Sequence, residues 1–241
     1  MSSSPTPTAL LYAYTDTGPL VSDAEYHEWY NEEHVALRMA IPDFLCATRW
    51  AATDGKNPAF LAMYDLTSPS ALASPSYLAL RENQSPREID VMARLQRADR
   101  RVYDAVLDDG QALAAPDYDP RAPGACLVAV EIAVPDARAN ELARWYRDEH
   151  LPLLVAVPGW RRSRRFTLRE HGPAQGTEAA EIEARGAPPR LLALHEWTSE
   201  ASFDTEEFAR ATGTEWRTRM FQCAEVWERR IFKEIRTWVK E

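Results

Sequence analysis

Two kinds of apolar spacing run through the chain, and both occur twice. Short apolar and β-branched runs predict strands at Ala9–Thr15, Phe44–Ala52 and Ala59–Leu66. The same pattern returns at Cys126–Val134, Trp160–Arg169 and Arg190–Trp197. Apolar positions three and four apart predict an amphipathic helix after the first strand of each set, over Asp23–Ala40 and Asp136–Val157. Asp23 and Asp136 are the expected N-caps, because a carboxylate can accept from first-turn amides. Pro42 and Pro158 end those helices. Further helices follow the third strands, over Ser70–Leu80 with Pro86–Asp99, and over Ser199–Arg219. A closing strand is expected at Val102–Asp108 and at Cys223–Phe232.

The two sets align as a repeat. Glu28-Trp-Tyr-Asn-Glu-Glu-His34 lies over Arg144-Trp-Tyr-Arg-Asp-Glu-His150, an offset of 116 residues. Ile41-Pro-Asp-Phe44 lies over Val157-Pro-Gly-Trp160, and Arg49-Trp50 over Arg165-Phe166, at the same offset. The offset then becomes 131, Leu61–Ser68 matching Leu192–Ser199, so the second copy carries 15 extra residues between Leu168 and Leu191. The glycines and prolines of that stretch predict a loop. The expected organisation is a disordered N-terminus over 1–8, a module over 9–108, a linker over 109–124 rich in Gly and Pro, and a second module over 125–241. Each module reads β-α-β-β-α-β, the ferredoxin-like order, which leaves one sheet face to be covered. The predicted fold class is α+β: two tandem ferredoxin-like modules forming a pseudo-dimeric α/β barrel.

The net charge of −9 argues against a nucleic-acid partner. The first residues lack the basic start and apolar run of a signal peptide, and no apolar stretch is long enough to span a bilayer, so no membrane partner and a cytoplasmic location are expected. Cys46, Cys126 and Cys223 are too far apart and too few for a disulfide framework or zinc site, and read as buried apolar residues. No phosphate loop, dinucleotide fingerprint or nucleophile elbow is present, so no cofactor and no metal are expected.

Trp-Tyr-x-x-Glu-His, then Pro-Gly-Trp or Pro-Asp-Phe, then a strand with Arg-aromatic, resembles the EthD-like branch of the dimeric α/β barrel superfamily, in a tandem-fused form of the fungal type. The resemblance covers both halves and implies a fold more than a reaction. The superfamily includes cofactor-free monooxygenases, muconolactone-type isomerases, polyketide cyclases, decarboxylases and heme-binding branches. It implies a substrate cavity between the first helix and the sheet, and a monomer acting as a pseudo-dimer, or a homodimer.

Tyr26, Tyr30 and His34 share one helix face, as do Leu142, Tyr146, His150 and Leu154, and Leu37 and Leu153 continue the apolar stripe. His34 and His150 can act as acid or base near neutral pH. Capping of helix carbonyls is the plain alternative for both. Glu33 and Glu149 point away from the histidines, so a neighbour from the sheet is the better expected partner. On the third strand Tyr64 corresponds to His195, which offers the pairs His34–Tyr64 and His150–His195. Arg49 and Arg165 could hold a carboxylate, while Arg161, Arg162 and Arg164 split between two strand faces. Among the eight tryptophans, Trp50 and Trp197 are candidate pocket residues, with Tyr30 and Tyr146, and Trp29 and Trp145 are expected in the core.

The leading expectation is a cofactor-independent enzyme of secondary, polyketide-type metabolism. It would act on an aromatic or polyketide-like small molecule as a decarboxylase, cyclase or isomerase through an enol(ate), with His34, His150, His195 and Tyr64 moving protons. The alternatives are a non-catalytic ligand-binding barrel protein and a cofactor-free oxygenase. The copies differ at Tyr64/His195, in the arginine strand and in the long loop, which tilts the expected site toward the second half.

Overall fold

A computed structural model describes residues 5–107 and 113–240. In chain order, strand β1 (Ala9–Asp16) leads to helix α1 (Asp23–Trp29), which runs through a π-helical turn (Tyr30–His34) into α2 (Val35–Met39). Strands β2 (Phe44–Ala52) and β3 (Phe60–Leu66) follow, then α3 (Pro75–Glu82), α4 (Pro86–Arg94) and β4 (Arg97–Ala105). A two-residue strand β5 (Leu113–Ala114) precedes β6 (Cys126–Ala133) and α5 (Asp136–Trp145). A second π-helical turn (Tyr146–His150) leads into α6 (Leu151–Val155) and β7 (Trp160–His171). The chain ends with α7 (Ala179–Ala184), β8 (Leu191–Trp197), α8 (Glu206–Thr212), α9 (Glu215–Cys223) and β9 (Val226–Val239).

The chain divides into two compact units. Unit 1 comprises Met1–Ala105, Leu168–Pro188 and Ile235–Glu241. Unit 2 comprises Val106–Thr167 and Pro189–Glu234. In unit 1, β1 pairs antiparallel with both β3 and β4, and β2 pairs with β3. In unit 2, β6 pairs antiparallel with β8 and β9, and β8 with β7. Period-two alternation sends Ala62 and Tyr64 toward the helices of unit 1, where Tyr26, Trp29 and Tyr30 complete the core. Unit 2 builds its core from Val128, Val130, Trp145, Ala193 and Trp197 in the same manner. Trp29 and Trp145 are fully buried, each contributing on the order of 3 kcal/mol of hydrophobic stabilisation.

Several expected boundaries shift. The N-cap of α1 is Ser22, whose hydroxyl accepts from the Glu25 amide at 3.2 Å, and Pro135 precedes α5 without a side-chain cap. Asp23 and Asp136 therefore sit inside the first turn, where a negative charge favours the helix dipole. Helix α4 stops at Arg94, and the polar run from Arg97 joins the ladder of β1. The stretch expected as one helix over Ser199–Arg219 breaks at Gly213, and Thr205 and Thr214 cap its two halves. Strand β9 continues to Val239, well past Phe232. Residues 1–4 of the expected disordered N-terminus lie outside the described residues, whereas Thr8 is bonded to Leu66 and Thr67. Part of the expected linker, 109–112, lies outside them as well, and its remainder includes β5 and Tyr118, whose hydroxyl donates to Glu196. Cys126 is buried as expected, but Cys46 and Cys223 are only half-buried.

Candidate functional site

The π-helical turn decides which side chains face inward. The Val35 amide bonds back to the Tyr30 carbonyl, five residues earlier, so the helix gains one residue per turn there. The inward face beyond the turn is rotated by that extra residue. Val35 and Arg38 become buried, and Leu37, expected to extend the apolar stripe, is 43% exposed. The second copy repeats the device, with the Leu151 amide bonded to the Tyr146 carbonyl, and buries Leu151 and Leu154, leaving Leu153 half-buried.

Unit 1 contains a cavity of about 140 Å³ between this helix and its sheet. Tyr30, His34 and Arg38 line it from the helix, and Tyr64 from β3. Glu88 of α4 is the partner of His34: Nδ1 lies 3.1 Å from Glu88 Oε2. Arg38 donates to the His34 carbonyl at 2.8 Å and lies 3.6 Å from Glu88 Oε1. Gln84 Nε2 donates to the same carboxylate at 3.4 Å. The Glu88 amide is in turn held by Ser85, the N-cap of α4, and Ser85 donates its hydroxyl to Glu33. Glu33 thus bonds Ser85 and fixes the helix that carries the carboxylate. The partner comes from a helix, not from the sheet.

The electrostatics follow from burial and charge. Burial, with Arg38 beside it, lowers the pKa of His34 to about 4, and Glu88 opposes this. Burial alone would raise Glu88, but the hydrogen bond from His34 and the charge of Arg38 hold it at about 2. At neutral pH the cluster is therefore an anionic Glu88, a cationic Arg38 and a neutral His34. Its Nδ1–H is committed to Glu88, so Nε2 carries the lone pair. Burial also pushes Tyr64 up to about 12 and Tyr30 well above the phenolic range, so both remain hydroxyls.

Unit 2 has a smaller cavity of about 50 Å³ in the corresponding place. His150 and His195 both line it, with ring centroids 6.1 Å apart and planes at 88°. The carboxylate is missing. Glu149 accepts from Thr214, the N-cap of α9, as Glu33 accepts from Ser85. Three residues past each cap stand Glu88 in one unit and Arg217 in the other. Leu154 stands where the first copy has Arg38. Among the described residues the ion cluster stands in unit 1, whereas the differences between the copies tilted the expected site toward the second half. The 15 extra residues also join unit 1, where Pro173 and Gln175 line the larger cavity.

Not every expected site residue reaches a cavity. Tyr30, His34 and Tyr64 meet in the first, and Tyr146, His150, His195 and Trp197 in the second. Arg49 faces the helix but lies against the Tyr26 and Tyr30 rings, 4.9 and 4.3 Å from their centroids, and donates to Asn31 and His27. Arg165 lies 5.5 Å over Tyr146. Neither arginine lines either of these two cavities; each lies behind a tyrosine ring. Trp50 pairs with Leu61 in register and so faces the opposite side of the sheet from Ala62 and the His34 cavity. Arg161 and Arg162 bond Asp117 and Glu196, and Arg164 lies 3.7 Å from Glu196. Arg38, Glu88 and Gln84 were not anticipated; the sequence signals for them were the four-residue step from His34 to Arg38 and the spacing Ser85-x-x-Glu88, which marks a helix start. Among the described residues no group of three or more His, Cys, Asp or Glu is placed to hold a metal ion. No described helix is long and apolar enough to cross a membrane.

No protein-family model matches the chain, and no curated protein matches it in sequence. Solved structures match along its whole length. An anthrone oxidase-like protein covers 99% of this chain and 95% of its own, at 12% identity and TM-score 0.61. A candidate monooxygenase from Fusobacterium nucleatum covers 98% and 95%, at 10% identity and TM-score 0.54. Another from Lactobacillus acidophilus covers 98% and 100%, at 9% identity and TM-score 0.54. These likenesses show the fold, the mixed α+β class of the dimeric α/β barrels.

Proposed function

We propose that this protein is a cofactor-independent small-molecule enzyme that forms an enol(ate) in the unit 1 cavity, with His34 as the base. The observation that carries this reading is the His34–Glu88–Arg38 cluster on a cavity wall. Nε2 of His34 takes a proton from a carbon next to a carbonyl or from a phenol. The C–H electron pair moves onto the carbonyl oxygen, and Glu88 stabilises the imidazolium that results. Arg38 and the hydroxyls of Tyr30 and Tyr64 supply the positive field and donors for the oxyanion. The imidazolium returns the proton at a second carbon in an isomerisation, or at the alkoxide oxygen formed when the enolate closes a ring onto a carbonyl; in a decarboxylation His34 instead takes the carboxyl proton and returns it at the carbon freed when carbon dioxide leaves. Aromatic and apolar walls, including Leu11, Tyr77 and Leu80, suit a flat aromatic or polyketide-like substrate. On the repeated Trp-Tyr-x-x-Glu-His motif the chain is a tandem-fused member of the EthD-like branch.

The likeness to an anthrone oxidase-like protein favours one variant of this reading. The same carbanion could transfer electrons to molecular oxygen in place of taking back a proton, which makes the enzyme a cofactor-free oxygenase. The test is deuterium exchange at the acidic carbon of a panel of anthrones and β-keto aromatic acids, followed by NMR beside an oxygen electrode. Exchange in the wild type that falls at least about a hundredfold in His34→Gln supports the base assignment. Oxygen uptake at the same sites selects the oxygenase. Ligand retention without exchange or turnover would make the protein a binder and overturn the reading.

A further inference from the structure

We propose that the unit 2 cavity is a separate binding site for a short-chain carboxylic acid, held between His195 and His150 as a carboxylate with its proton on His150. The hydrogen bonding around the two rings sets this up. Ser163 Oγ accepts from Trp160 Nε1 at 2.9 Å and lies 2.8 Å from His195 Nδ1. The serine, which accepts from the indole, keeps its own O–H to give to Nδ1, and that arrangement places the imidazole proton on Nε2. That nitrogen is buried and has no protein partner. Nδ1 of His150 is the other buried nitrogen without a partner. With its own proton on Nε2, His150 offers Nδ1 as an acceptor. The site thus presents one donor and one acceptor on perpendicular rings 6.1 Å apart, on residues only 3% and 8% exposed.

A carboxyl group complements such a pair, since it accepts at one oxygen and donates at the other. Charge then decides the position of the proton. The titratable and charged groups lining this cavity are Tyr146, His150, His195, Arg217 and Arg229, and no carboxylate is among them. Arg217 lies 5.8 Å over Trp227 and donates to the Thr212 carbonyl, and Arg229 lies 4.9 Å over Phe203. The two guanidiniums favour the anion and oppose a charge on His150, and the bound carboxylate, in hydrogen-bond contact with the ring, offsets that opposition, so the acid binds as carboxylate with its proton on His150 Nδ1. Size limits the ligand. A volume of about 50 Å³ holds a few heavy atoms among Val128, Leu154, Trp197 and Phe208, which suits formate or acetate.

The test is calorimetric titration of the full chain with sodium acetate at pH 6.5, in two buffers of different ionisation heat, with the histidine Cε1–H resonances followed by NMR. The expected result is saturable binding to one site with uptake of about one proton, and shifts confined to the His150 and His195 resonances. His150→Phe and His195→Phe should each weaken binding at least about tenfold, because each removes a hydrogen bond to a charged group. His34→Gln, in the other cavity, should leave it unchanged. The wild-type resonances decide the matter if either phenylalanine variant fails to fold. Absence of saturable binding, binding without proton uptake, binding that survives both phenylalanine changes, or binding lost with His34→Gln would each overturn the proposal.

Discussion

His34 and Glu88, 54 positions apart in sequence, are joined Nδ1 to Oε2 at 3.1 Å on the wall of the larger cavity. The bond fixes the imidazole tautomer and supplies the counter-charge that a base needs once protonated. Glu88→Gln keeps the shape and removes that charge. Activity should fall at least about tenfold, short of the 10²–10⁴ expected for loss of the base itself. Stability should fall by about 3 kcal/mol, since Arg38 is left buried without its anion. Urea denaturation beside the exchange assay measures both. Unchanged activity would remove Glu88 from the mechanism.

The phenols of Tyr30 and Tyr64 are buried in the same cavity, and each raises or tunes the other. As donors to an oxyanion they matter in the transition state more than in substrate binding. Tyr64→Phe should therefore lower kcat about tenfold with little change in KM, and the double change with Tyr30→Phe should be less than multiplicative. Steady-state kinetics on the single and double variants separates this from a packing effect, which would appear as lost stability.

Acid should unfold this protein early. Three buried histidines are pushed below their ordinary range: His34 to about 4, His195 to about 3, and His150 well below 6.5. Between pH 6.5 and those values the unfolded chain binds protons that the folded chain refuses, so stability falls as pH falls. Each histidine contributes up to about 1.4 kcal/mol per pH unit in that window. Glu88, held at about 2, adds to the loss below pH 4.5. Thermal melts from pH 8 to pH 5 should show a steady fall in Tm beginning near 6.5, and His34→Gln should flatten the slope by about one proton. A flat profile over that range contradicts the assignment of neutral buried histidines.

The segment that walls the larger cavity depends on one glycine. Gly176 has φ of +97°, and a Cβ there would lie 2.6 Å from the Leu95 carbonyl oxygen. The segment is bonded to unit 1 on both sides of that residue, Gln175 to Ala98 and Thr177 to Leu95. Gly176→Ala should cost about 1–3 kcal/mol and raise KM through displacement of Pro173 and Gln175 from the wall. Gly55, at φ +70° with no atom near its Cβ, is the control for strain without a clash. Melting temperatures of the two variants give the comparison.

The sequence alone determined the repeat and the two sets of strands and helices, because hydrophobic period and Pro and Gly punctuation are local signals. It also placed Tyr30, His34, Tyr64, His150 and His195 on faces that turn out to meet cavities, since strand alternation and helical spacing fix direction. Tertiary structure decided the rest. A π-helical turn rotated the inward face, burying Val35 and leaving Leu37, expected to extend the apolar stripe, exposed. Glu88 became the partner of His34 only when α4 packed beside α1 and α2, and its counterpart Arg217 shows that the same topology can carry the opposite charge. The inserted loop of the second copy packs in unit 1, because a loop's destination is set by which strand it pairs with. That pairing, Gln175 to Ala98, is a contact between residues 77 positions apart that composition does not encode.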